Sequence, residues 1–267
     1  MKILAIGDPH GDIEKIRKIP KKDVDTIIIT GDLGKANYAR KFYFENIKRK
    51  QQGLEELEYD GKICRNVYKE IYDSTIKVLS YLAKNTPTYS FLGNVGNHII
   101  KDSEVKKDEK KYNVKLPYLG KSIKKIDNFH LAVNVVRNIN GLRVGFLEYF
   151  NDIFWDKEFG TKDKKKIKKA KKETDKAKKI LKNFGSLDIL VCHQPPYGYL
   201  DKVSGKWGAP KNYWGKHAGS KVILDYVKKY QPKYVFCGHI HEGEGKTKIG
   251  KSEVYNLGVA GHKIINL

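Results

Sequence analysis

Cysteine and long apolar runs are what this sequence has least of. Three cysteines, Cys64, Cys192 and Cys237, are spread over 267 residues. An odd number at wide spacing excludes a disulfide scaffold, and no Cys-x-x-Cys pair is present to start a thiolate zinc site. No apolar stretch approaches the ~18 residues that span a bilayer, so no membrane partner is expected. The opening MKILAIGDPHG reads as a strand running into polar groups and lacks the flanks of a secretory signal. A reducing cytoplasm is the expected compartment. Methionine occurs once, and arginine only at positions 17, 40, 49, 65, 137 and 143.

Lysine is what the chain has in excess. Lys and Arg together number 53 against 31 acids, a formal charge of +22, and nearly all of the cations are Lys. With 40% hydrophobic residues there is material for a sizeable core, which excludes wholesale disorder. A basic excess invites a nucleic-acid partner. An excess carried by Lys is also the habit of heat-adapted proteins, and the scarcity of Met and Gln fits a thermophile. Nucleic acid is therefore not the favoured partner. Residues 162–182 hold 12 Lys and three acids, +9 of the total. Ile167, Ala170, Thr174, Ala177, Leu181 and Phe184 recur there at steps of three and four. That spacing predicts an amphipathic helix over about 162–184 with lysines on its wet faces, closed by Gly185.

Short β-branched runs ending in turn residues recur at Lys2–Ile6, Thr26–Thr30, Thr88–Leu92, Leu142–Leu147, Asp188–Cys192 and Tyr234–Cys237. Helical patterns lie between several of them, which predicts an α/β fold with both sheet faces covered. One domain over residues 1–267 is expected, with a helical excursion at about 34–84. The Lys-rich stretch Ile99–Ser122 has no clear period and reads as a long loop or lid.

Chemistry-bearing side chains gather at strand ends: Asp8 and His10, Gly31-Asp32, Gly93-Asn94, His193, and Gly238-His239-Ile240-His241. Residues i and i+2 of an extended chain point the same way, so each Asp/His or His/His pair can converge on one point. Open sheets place ligands at the carboxyl ends of their strands. Asp, Asn and His without thiolates suit divalent Mn, Fe, Co, Ni or Zn. Seven such groups exceed the needs of one ion and suit two that share a carboxylate.

In this order the motifs resemble those of the calcineurin-like metallophosphoesterase superfamily, from Asp8 to His241, with Asn256-Leu257-Gly258 standing where many members have Asn-Pro-Gly. His193-Gln194-Pro195-Pro196-Tyr197-Gly198 is similar to the family's His-x-Pro-Pro-x-Gly, and His217-Ala218-Gly219-Ser220 resembles an archaeal branch. The resemblance implies a four-layer α/β/β/α sandwich of two mixed sheets and a dinuclear site. It assigns Asp8, His10 and His241 to one ion, Asn94, His193 and His239 to the other, and Asp32 to both. It implies two divalent cations, Mn first with Fe, Ni, Co or Zn as alternatives, and attack of a metal-activated hydroxide on phosphorus. The expected substrate is a small phosphoester or nucleotide, a diester before a monoester. A nuclease on polynucleotides, or a metal-stabilised nucleic-acid-binding protein without turnover, are the alternatives.

One departure bears on the leaving group. Many members read Gly-Asn-His, the His protonating the leaving oxygen. Here Gly93-Asn94-Val95-Gly96-Asn97-His98 offers two registers. The strand leading into Gly93 favours Asn94 as ligand, which puts Val95 in the acid's place; the other register makes Asn97 the ligand and His98 the acid. With Asn94 as ligand, His98 and His217 are substitute acids beside Asp32 in the catalytic set. His98→Ala is then expected to cost more on poor leaving groups than on nitrophenyl esters. The aromatic loop 197–217 is the expected substrate wall, with Asn94, Tyr197 and His217 as substrate contacts. Cys192 and Cys237 read as small buried strand residues.

Overall fold

A run such as Thr26-Ile27-Ile28-Ile29 is apolar at nearly every position, which suits a strand covered on both faces. The computed structural model, which describes residues 1–267, provides two such sheets. The first contains β1 (Lys2–Ile6), β2 (Thr26–Ile29), β3 (Thr88–Ser90) and β4 (Phe129–Leu131) in parallel. The second contains β5 (Val135–Ile139), β6 (Leu142–Leu147), β7 (Ile189–Cys192), β8 (Tyr234–Cys237), β9 (Gly245–Ile249) and β10 (Ser252–Asn256). The last strand, β11 (His262–Asn266), returns to pair antiparallel with β1. The orders are β11-β1-β2-β3-β4 and β5-β6-β7-β8-β10-β9, with β5, β9 and β11 as antiparallel edges.

Alternate side chains divide the interior into three cores. Ile3, Ala5 and Ile28 meet Phe146, Ile189, Val191 and Phe236 between the sheets. Leu4, Ile6, Ile27 and Ile29 face outward onto helices α1 (Ile13–Arg17), α3 (Gly61–Leu82), α4 (Asp102–Tyr112) and α5 (Leu119–Ile123). Leu190, Cys192, Val235 and Cys237 face the opposite way, onto α7 (Lys164–Phe184) and α8 (Lys221–Tyr230). Two further helices, α2 (Asn37–Gln51) and α6 (Ile153–Glu158), pack against α3 and α7 respectively. The result is the four-layer α/β/β/α sandwich of two mixed sheets.

The Lys-rich helix forms where its spacing places it. Asp163 caps α7 by accepting from the Lys165 and Lys166 amides, and Ala170, Thr174, Ala177, Leu181 and Phe184 are buried. Gly185 ends it at φ +63, a conformation that favours glycine. The excursion is uneven: α3 buries eight residues, Val78 and Leu79 among them, whereas α2 buries none. The stretch 99–122 departs from expectation, forming α4 and α5 in place of a loop. Val105, Leu119 and Ile123 anchor these helices in the first core, too few apolar residues to leave a period in the sequence.

Candidate metal centre

Asp8 follows β1 and is fully buried. Its Oδ1 accepts from the Thr30 hydroxyl at 2.6 Å and its Oδ2 from the His239 amide at 2.6 Å. The Asp8 amide in turn donates to the Gly258 carbonyl, and Asn256 bonds the carbonyls of Leu200 and Ile240, so the Asn-Leu-Gly stretch buttresses this end of the site. Asp32, after β2, accepts from the Val95 amide at 2.7 Å. Its other oxygen lies 3.8 Å from His10 Nε2 and 3.6 Å from His193 Nε2, between the two groups of ligands that the resemblance assigned.

Two sets of three ligand atoms converge within 4.8 Å of one another: Asp8, His10 and His241, and Asp8, Asp32 and His193. His193 Nδ1 meets the Thr30 carbonyl at 2.8 Å and therefore donates, which leaves Nε2 to present its lone pair in the neutral ring. That nitrogen faces two acceptors, Asn94 Oδ1 at 2.7 Å and the Asp32 carboxylate. His10 Nε2 and His241 Nε2 meet head-on at 3.2 Å. His239 Nε2 is buried with no hydrogen-bond partner. Acceptors gathered on acceptors, and an orphaned imidazole nitrogen, need a cation to satisfy them. The residues present fit divalent ions.

Electrostatics point the same way. Burial pushes the Asp8 carboxyl up, but His193, His241 and His10 outweigh it and hold it below the carboxylate range. Burial and the neighbouring Asp8 charge raise Asp32 despite the pull of His193. Burial drives His239 well down and His10 down, toward the neutral ring that binds metals. Burial would lower His193 too, yet Asp32 and Asp8 raise it, because the two carboxylates favour positive charge beside them.

The backbone is bent to build this arrangement. His10, Asp32 and His239 all sit in the left-handed region, at φ 44, 40 and 63. For residues with a Cβ this costs roughly 1–3 kcal/mol each and persists only where surroundings enforce it. The His10 amide is pinned to the Asp32 carbonyl at 2.8 Å, and the Asp32 amide to that of Leu92 at 2.8 Å. Gly238 has no room for a side chain, because a Cβ there would run into the Asp8 carboxylate.

The other candidates are placed unequally. Of the two amides, Asn94 meets His193, whereas Asn97 lines a neighbouring cavity. His98 packs edge-on against Tyr68 of α3, and the acids facing it are Asp108 and Glu104 of α4. His217 donates through Nδ1 to the Asp201 carboxylate at 2.7 Å, and its ring adjoins Tyr197. Tyr197 itself lies under Lys221. From loop 197–217, Trp207 is the residue that reaches the ligands, edge-on to His241 at 5.3 Å. Sequence reasoning missed Tyr149, whose ring adjoins both His193 and His239, and assigned Trp155 to no wall although it lies 5.7 Å from His239. It also missed the buried Asp201, which binds the Gly198 and Gly219 amides besides His217. Position two after β6 is the only signal that could have marked Tyr149. Cys192 and Cys237 are buried, their thiols pushed up by burial.

The calcineurin-like phosphoesterase family matches residues 1–243 of this chain. The chain belongs to that family. Over shorter stretches the chain is similar to Metallophosphoesterase domain-containing protein 1 of Homo sapiens, 35% identical over 74 residues, 27% of this chain and 20% of that protein. It is also similar to a UPF0046 protein of Caenorhabditis elegans, 35% identical over 71 residues, 26% of this chain and 16% of that protein. The matches thus span about a fifth of the curated relatives' length. A solved structure shares the fold at TM-score 0.55 and 16% identity, covering 99% of this chain and 94% of its own. The family supports metal-dependent hydrolysis of phosphoesters, and the Asp/His cluster is where a phosphoesterase of this fold would hold metal. No helix is long and apolar enough to cross a membrane.

Proposed function

We propose that this phosphoesterase is a dinuclear phosphodiesterase. Asp8, His10 and His241 would hold one ion, Asn94, His193 and His239 the other, and Asp32 both, with Mn²⁺ the first choice. The observation that carries the reading is the pairing of converging acceptors around His193 Nε2 with the orphaned His239 Nε2. Bound there, two divalent cations supply a water acidic enough to attack phosphorus and positive charge for the equatorial oxygens.

The chain's own residues do the rest. Thr30 and the His239 amide fix both oxygens of Asp8, and the Thr30 carbonyl fixes the tautomer of His193. Tyr149 and Trp155 cover the rings of His193 and His239 and keep bulk water from that side. Trp207, 36% exposed, offers a face beside His241 on which an aryl group or base can stack. A diester is favoured because Val95 stands where the family's proton donor would be. Aryl or nucleotide leaving groups need less help from an acid. His217, held through Nδ1 by Asp201, presents Nε2 as the candidate donor to the leaving oxygen. The test is hydrolysis of bis(p-nitrophenyl) phosphate and p-nitrophenyl phosphate with Mn²⁺. The diester is expected to turn over faster, chelator to abolish both activities, and Asp32→Asn to lower kcat/KM by about 10²-fold or more. No Mn²⁺-dependent turnover of either ester would defeat the proposal.

A further inference from the structure

Next to the ligand cluster lies a cavity of about 540 Å³, within the ~300–1,000 Å³ typical of small-molecule sites. Tyr149 is the wall common to both: it lines the cavity, and its ring adjoins His193 and His239 at 5.8 and 5.3 Å. Three lysines are among the lining residues, Lys101 at the start of α4 and Lys169 and Lys176 of α7. On α7 the cavity is lined by Lys169, Glu173, Lys176 and Ile180, one stripe of the helix beside its buried stripe. Part of the basic exterior of α7 is therefore turned toward the site.

The acids in this cavity do not cancel the lysines. Glu173 is committed to the Asn151 amide at 2.8 Å and to Lys169 at 3.7 Å, the one lysine of the three that pairs with a carboxylate. Glu148 is partly buried, and with both carboxylates counted the three lysines still leave the cavity one positive charge in excess. Lys101 and Lys176 remain as point charges for an anion, and Asn97 adds an amide beside them. Lysine clusters of this kind suit phosphate oxygens.

We propose that this cavity is a second anion subsite, so that the substrate is a phosphoester carrying a second phosphate group. One phosphate lies over the Asp/His cluster; the other reaches past Tyr149 to Lys101, Lys169 and Lys176. The inference rests on the phosphoesterase reading for the first phosphate, but the second can be followed by binding alone.

The experiment is calorimetric titration of the full chain, with and without Mn²⁺, using adenosine 3′,5′-bisphosphate as probe. The exposed triple variant Lys101→Ala, Lys169→Ala, Lys176→Ala is compared with a control of equal charge loss, Lys165→Ala, Lys172→Ala, Lys179→Ala, on the parts of α7 outside the cavity. The cavity variant is expected to weaken binding about tenfold, the control less than about twofold, and turnover of bis(p-nitrophenyl) phosphate to survive in both. Equal weakening in both triples would mean diffuse attraction to α7, as for a polynucleotide, and would overturn the subsite. So would no weakening in either, or no binding of the bisphosphate to the unaltered chain. A wild-type chain that binds the bisphosphate in the expected pattern but hydrolyses no ester would sink the phosphodiesterase reading and leave the subsite standing.

Discussion

Asp8 and Asp32 are both buried, and their surroundings drive them in opposite directions. Three imidazoles and two hydrogen bonds favour the charged form of Asp8, whereas burial, with the Asp8 charge added to it, raises Asp32. Positive charge at this point therefore relieves Asp32 most, which is why it is the residue to neutralise in a test. Proton donation is also decided by single residues. With His98 packed on Tyr68 and His217 held by Asp201, His98→Ala is expected to slow alkyl and nitrophenyl diesters alike by less than about twofold. His217→Ala is expected to slow the alkyl diester at least about tenfold more than the nitrophenyl one. Steady-state kinetics on matched diesters decides it; the reverse pattern would return the acid to His98. The residues that converge at the candidate metal centre were readable in the sequence because metal binding demands particular side chains at strand ends, spaced so that they meet. Tyr149, Trp207 and Asp201 were not, because their parts depend on which loop folds over which strand, and an aromatic or an Asp in a loop looks the same wherever it lands.

At the scale of elements, periodicity was the dividing line. The three-four spacing of α7 could be read through twelve lysines, and the six apolar strands through their turn residues. The strands β4, β5, β9, β10 and β11 escaped, being short or polar, with β5, β9 and β11 each exposed along an outer edge. The helices α4 and α5 escaped because a few buried residues suffice to hold them. The β9–β10 edge carries its own pH dependence. Lys246 and Tyr255 hold the Glu253 carboxyl down at about 2 from an ordinary 4.5. A depressed carboxyl stabilises the fold above its unfolded-state value and loses that contribution as pH falls toward the folded one. Glu253→Gln is thus expected to lower Tm slightly above about pH 4.5, with the difference vanishing as pH approaches 2. The effect is small because the pair is solvated. Thermal scans of both proteins across that window check it, and a difference constant with pH would rule out the ion pair as its source.

At the scale of the whole molecule, the proposed ligand set spans both sheets. Asp8, His10, Asp32 and Asn94 follow strands of the first sheet, and His193, His239 and His241 follow strands of the second. An ion that binds the folded chain alone stabilises it by about 2.7 kcal/mol at a hundred times its Kd. Saturating Mn²⁺ is therefore expected to raise Tm by about 5 °C or more over the chelated protein, and Asp32→Asn to lose most of that gain. Differential scanning calorimetry measures it, and an unchanged Tm on adding Mn²⁺ would show that no ion is held.

The division of ligands between the sheets has a mechanical side. Between them lies an apolar seam of Ile3, Ile28, Phe146, Val191 and Phe236, whose close-packed side chains resist both separation and sliding. The proposed ligands, anchored on both sides of that seam, would work as a clasp at one end of it once ions bind. With ions bound, prising the sheets apart at that end would have to break coordination as well as the seam, so cation occupancy is expected to lock that end of the sandwich more firmly than the far end of the strands.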